Sequence, residues 1–173
     1  RILQIYFPYL GGADETLVSR PLTEGAEGYF AIPRWQKLAP TYALAVDKVL
    51  AAIPRQRALL IIPDPIQETA KKSECLSRIA REQVNQDILV ISAQLGLRHR
   101  GRSVRRARAL MSYREFGLGA YEVGIMLLTH SERFSVDGLA VYCAGDGLAI
   151  IGDFSGAPIF YFYDGEVWFY AYW

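Results

Sequence analysis

Near its C-terminal end the chain runs Ile159-Phe-Tyr-Phe-Tyr163, then Asp164-Gly165, then Glu166-Val-Trp-Phe-Tyr-Ala-Tyr172. Two β-prone aromatic runs separated by Asp-Gly are the strongest short-range signal for a hairpin. That pair accepts the positive φ angles of a type I′ turn, whose twist matches the flanking strands. A two-residue turn also fixes the register: Tyr163 faces Glu166, Phe162 faces Val167, Tyr161 faces Trp168 and Phe160 faces Phe169. Because successive side chains alternate, one face carries Phe160, Phe162, Val167 and Phe169, with no polar side-chain atom, and is expected to be core. The other carries Tyr161, Tyr163, Glu166, Trp168, Tyr170 and Tyr172. Rings with an apolar body and a polar tip suit a half-wet face or an interface, so Tyr161, Tyr163, Trp168, Tyr170 and Tyr172 are candidate contact residues. The strand pattern runs on to Trp173, which allows an edge open to augmentation.

Upstream, helical spacing dominates. Tyr42, Ala45, Val46, Val49, Leu50 and Ile53 form one buried face of a helix from Pro40 to about Ile53, stopped by Pro54. Asp64, with Pro65 at the first position and Gln67 completing a capping box, is expected to open a second helix ending near Val84. Ser103 caps a third helix with Val104, Ala107, Leu110 and Met111 on one side, and Ala120 to Thr129 is an apolar helix interrupted by Gly124. Strands are expected at Ile2–Phe7, Tyr29–Ile32, Leu59–Ile62, Leu139–Cys143 and Leu148–Ile151. Asp87–Ser92, apolar and β-branched, reads as a central strand. Helices in the first two thirds and antiparallel strands in the last imply an α+β fold, and 173 residues without an interdomain linker imply one domain over 1–173.

Composition sets the compartment. With 51% hydrophobic and 21% charged residues the chain is globular rather than disordered. Two distant cysteines, Cys75 and Cys143, form neither a disulfide framework nor a zinc motif, which fits a reduced, cytoplasmic setting. No apolar run is long enough to span a membrane, and Arg1–Phe7 is too short and polar for a secretory signal.

Net charge is only +1, yet charge is sorted along the chain. From Ile88 to Arg114 there is no acid and there are seven arginines, whereas Glu115 to Trp173 holds eight acids and one base, Arg133. Arginine's planar fork matches phosphate and carboxylate. The loop Arg98-His99-Arg100-Gly101-Arg102 leads into the helix capped by Ser103, and Arg105, Arg106 and Arg108 avoid that helix's apolar face. Arg98, His99, Arg100, Arg102, Ser103, Arg105, Arg106 and Arg108 are therefore the candidate anion and nucleic-acid-binding residues. The alternatives are that these arginines form a solvated face, or that they pair with the acidic last third.

No catalytic set is recognisable. HExxH, GxSxG, GxGxxG, a P-loop and paired CxxC are absent. Cys143 with His130 could be combined into a thiol dyad, but Cys143 lies mid-strand, where a small buried hydrophobe is the commoner role. Asp146, Asp153 and Asp164 sit in glycine-bearing turns, where aspartate usually bonds its own backbone rather than a metal. The leading expectation is a non-catalytic nucleic-acid-binding accessory protein with an arginine-rich helix, needing no cofactor or metal. The alternatives are a protein-interaction or inhibitor module working through the Tyr/Trp hairpin, with an acidic protein surface as another partner, and a small enzyme acting on a phosphorylated substrate.

Overall fold

A helix that is apolar on every side can be stable only where protein surrounds it. Ala120–Thr129 (AYEVGIMLLT) is such a helix, and every residue from Ala120 to Leu128 is buried. A computed structural model of the chain describes residues 1–54, 56–58, 66–134, 138–148 and 156–172, without the side chains of 56–58, 171 and 172. In chain order the helices are α1 (Ile2–Tyr6), α2 (Trp35–Leu38), α3 (Tyr42–Ala52), α4 (Ala70–Glu82), α5 (Val104–Leu110) and α6 (Ala120–Thr129). The strands are β1 (Gly28–Pro33), β2 (Gln56–Ala58), β3 (Ile66–Glu68), β4 (Ile88–Ala93), β5 (Ala140–Tyr142), β6 (Asp146–Leu148), β7 (Ala157–Tyr163) and β8 (Glu166–Tyr172). The fold is α+β. None of the described helices is long and apolar enough to cross a membrane.

The described strands form three small sheets: β1 with β4, β3 with β6, and a four-stranded sheet in the order β2-β8-β7-β5. Helix α3 lies against α6, presenting the face read from sequence: Tyr42, Ala45, Val46, Val49, Leu50 and Ile53 are all buried. Gly124 permits the close crossing, because a Cβ there would lie 2.6 Å from Val49 Cγ1. The hairpin has the register derived above, Tyr163 opposite Glu166 through Phe160 opposite Phe169. Asp164 and Gly165 take φ angles of 51° and 71°, the signature of a type I′ turn. Phe160, Phe162 and Phe169 enter the core, with the Phe160 and Phe169 ring centroids 4.8 Å apart.

Several expectations are corrected. Ile2–Tyr6 is a helix rather than a first strand: Leu3 and Phe7, four positions apart, are buried together, while Ile5 stays 76% exposed. Helix α4 begins at Ala70 under a Thr69 cap, and Gln67 belongs to β3, so the capping box drawn around it does not form. Asp64, Pro65, the strand placed at Leu59–Ile62 and the end of that placed at Leu148–Ile151 lie outside the described residues. Among the described residues strand β4 is not central: it pairs antiparallel with β1 and bridges to Ala13, and its unbroken apolar run is covered by α4 and the short helix Glu15–Ser19. Gln83, itself buried, bonds both the N–H and the C=O of Val90 at 2.8 Å, doing for that edge what a neighbouring strand would do. Nor is β8 an open edge, since β2 pairs with it in parallel at Val167–Phe169.

Gly124→Leu is expected to destabilise the protein by about 2–3 kcal/mol through overpacking against Val49, read as a lower urea midpoint with an unchanged slope.

Candidate functional site

The arginine segment is brought together as a loop and a short helix, but its members have different fates. Ser103 caps α5, its hydroxyl accepting the Arg106 N–H at 3.3 Å. Arg98 is ion-paired with Glu115 at 2.9 Å. Arg102 donates to the Arg98 carbonyl at 2.7 Å and lies 3.3 Å from His99 Nδ1, which fixes the loop's curl. The side chains of Arg100, Arg105 and Arg106 are exposed and meet no carboxylate among the described residues. The expected pairing with the acidic last third is therefore limited, within those residues, to Glu115.

Arg108 departs from the outward placement expected of it. Half-buried, it donates to the carbonyls of Ala144, Asp146 and Gly156, pinning α5 onto β6 and β7. Burial lowers its pKa against the pull of Asp146, and the fork is directed at these carbonyls. Arg98, Arg100, Arg102 and Arg114 border a broad, open trough between the loop and the β1–β4 sheet. Carboxylates also line it, among them Glu24, Glu27 and Glu82, so its walls are mixed in sign.

On the hairpin's polar-tipped face Tyr161 stacks on Tyr163, and Trp168 on Tyr170, with ring planes within 10° in each pair. Tyr163 is 54% exposed, whereas Tyr161, Trp168 and Tyr170 are half-buried. The side chain of Tyr172 is outside the described residues. Cys143 and His130 make no dyad: the thiol is fully buried, burial and Asp146 push its pKa well up, and His130 bonds Thr129 and packs edge-on against Phe30. Cys75 is also buried. Asp153 is outside the described residues, while Asp164 stands at the hairpin tip, so the turn aspartates are not gathered on a metal among the described residues.

The densest chemistry lies elsewhere, at a place that the sequence motifs do not single out. Lys72 on α4 is completely buried. Its Nζ lies 2.7 Å from Glu122 Oε2, 3.0 Å from Asp146 Oδ1, 3.5 Å from Glu68 Oε1 and 2.6 Å from the Tyr42 hydroxyl. The same carboxylates hold the start of α6. Glu122 accepts the Gly119 N–H at 2.8 Å, and Asp146 Oδ2 accepts the Ala120 N–H at 2.6 Å, so two of the helix's orphan amides are satisfied from inside the core. Tyr42 donates to Asp146. Two glycines form the walls: a Cβ at Gly119 would overlap Lys72 Nζ, and one at Gly145 would fall 2.7 Å from Lys72 Cδ.

Burial would drive Lys72 toward the neutral amine, but Glu122, Asp146 and Glu68 outweigh it and hold the ammonium above its ordinary range. Burial raises Asp146 despite the attraction of Lys72, and Glu122 adds repulsion. Glu68 is raised by burial and by repulsion from Glu122 and Asp146, which together outweigh Lys72. Three carboxyl groups thus share one cation. Signals for the cluster are present in the sequence: Lys72 falls on the buried stripe of α4 with Cys75, and Glu122 is the lone acid in an apolar helix. Glycines on both sides of Asp146 suggest a local turn and hide its long-range partners.

Compared with known protein families, curated proteins and solved structures, the chain matches none of them.

Lys72→Met is expected to cost at least about 3 kcal/mol in chemical denaturation, because it strands buried carboxylates without a cation. Glu68→Gln should act in a pH-dependent way. A carboxyl whose folded pKa is raised supports the fold in acid and loses that contribution as pH climbs through the folded value. The stability of Glu68→Gln relative to wild type should therefore improve, in urea titrations, as pH rises from the ordinary glutamate range through the raised folded value.

Proposed function

We propose that this protein is a non-catalytic nucleic-acid-binding accessory protein that holds a phosphate backbone on its arginine loop and α5. The observation that carries this reading is the trio Arg100, Arg105 and Arg106, exposed and unpaired with carboxylate among the described residues, with Arg102 beside them. Guanidinium groups held outward in a segment without acids lower the cost of bringing up a polyanion, and each phosphate neutralised releases counterions. Arg98 and Arg108, committed to Glu115 and to backbone carbonyls, shape the loop rather than meet the ligand.

A second reading draws on the trough beside the same loop: one small phosphorylated ligand in place of a strand. The interaction reading through the hairpin has less support, because most of its rings are half-buried against their own neighbours.

Fluorescence anisotropy with labelled DNA and RNA across a salt series tests the proposal. Wild-type binding should weaken steeply with salt. Replacing Arg102, Arg105 and Arg106 together by alanine should lower affinity and flatten the log–log slope by about 0.9 for each duplex phosphate that is no longer neutralised. Absence of binding at low salt ends this reading, and competition by inorganic pyrophosphate at equal charge would favour the small-ligand one.

A further inference from the structure

The Lys72 cluster is more than a salt bridge in its geometry. A primary amine and a carboxyl carbon are held in a buried core, with a second carboxylate on the amine and fixed donors on the carboxyl. We infer that Lys72 and Asp146 condense into an intramolecular amide, with Glu122 carrying the protons. This is a single-turnover self-modification, independent of the arginine surface and of whatever that surface binds.

Each part is in place. Lys72 Nζ lies 3.0 Å from Asp146 Oδ1, so the amine and the carboxyl group that it would attack are already in contact. Glu122 Oε2, 2.7 Å from Nζ, is placed to take a proton from the ammonium and free the lone pair, a transfer that works against the three carboxylates stabilising that ammonium and makes the reaction slow. Asp146 Oδ2 is gripped by the Ala120 N–H at 2.6 Å, a donor that stabilises charge on that oxygen as the carbon becomes tetrahedral, while the Tyr42 hydroxyl lies 2.8 Å from Oδ2 and 2.9 Å from Oδ1. Oδ1, on the lysine side, is the oxygen that departs.

The sum balances. The Nζ–Cγ bond forms and the Cγ–Oδ1 bond breaks. Two ammonium protons leave with that oxygen as water, and Glu122 ends as the carboxylate it began. Nothing is oxidised or reduced.

The surroundings favour the product. Lys72 and Asp146 are both 0% exposed, and a buried ion pair bears a desolvation cost that a neutral amide escapes. With three carboxyl groups around one cation, the site readily holds the extra proton that makes a carboxyl group an electrophile. Gly119 and Gly145 press their backbones against the pair, so neither side chain can swing away. The bond would tie α4 to β6 across 74 positions of sequence.

Intact mass under denaturing conditions decides the matter. The purified wild-type chain should be one water lighter than its sequence, and proteolysis should yield a branched peptide joining the Lys72 and Asp146 segments. Lys72→Arg and Asp146→Ala should each have full mass for their sequence, and Glu122→Gln should lose the crosslink in whole or in large part. A wild-type chain of full mass overturns the inference. So does a loss that maps to a linear peptide, since Asp146-Gly147 or Asp164-Gly165 can shed water by closing on its own backbone. Crosslinking of Glu122→Gln as complete as in wild type would remove Glu122 as proton carrier.

Discussion

The Lys72 ammonium is the cation on which Glu68, Glu122 and Asp146 converge, at the point where α4, α6, β3 and β6 meet. What joins those elements there is a set of short polar contacts: Lys72 from α4, Glu122 from α6, Asp146 from β6, Glu68 from β3 and the Tyr42 hydroxyl from α3. Such a cluster adds little net stability compared with a well-packed apolar replacement, but removing any single partner leaves a charge or an amide unsatisfied in a dry interior. Its contribution is specificity of arrangement: only one mutual placement of these segments satisfies all of its members.

Around that fixed point the hydrophobic core is ordinary in its physics. Helix α6 is enclosed by α3 and by the phenylalanine face of the hairpin, and the Gly124–Val49 crossing brings two helix backbones close. The two-stranded β1–β4 sheet survives because side chains replace missing neighbours. Gln83 completes the bonding of Val90, and Arg34 collects the carbonyls of Ala80, Gln83 and Gln86 at the end of α4.

How much of this was legible in the sequence depends on the range of the interaction concerned. The hairpin register, its Phe face and the buried stripe of α3 were legible, because turn chemistry and alternation act over a few residues. The first helix was not, since Leu3 and Phe7 fit helical spacing while the same seven residues also pass as an alternating strand. The central placement of β4 failed because an apolar run reports coverage of both faces and does not say whether helices or strands provide it. Of the arginine site, the outward course of Arg100, Arg105 and Arg106 was legible, but the inward turn of Arg108 depends on carbonyls 36 or more positions away. The Lys72 cluster was only partly legible for the same reason: Lys72 on a buried stripe and Glu122 in an apolar helix are visible one at a time, but the five elements that bring the members together are not.

Arg108 also puts two regions of the molecule in mechanical series. One guanidinium links the arginine helix to the carbonyl of Asp146, whose carboxylate in turn secures the first amide of α6. Lifting α5 from the body would uncover backbone acceptors at the start of β6 and loosen the buried lysine's socket in the same movement. A load applied at the outer surface of α5 is thus transmitted inward along a chain of hydrogen bonds, and the rigidity of that surface is borrowed from the charged centre beneath it.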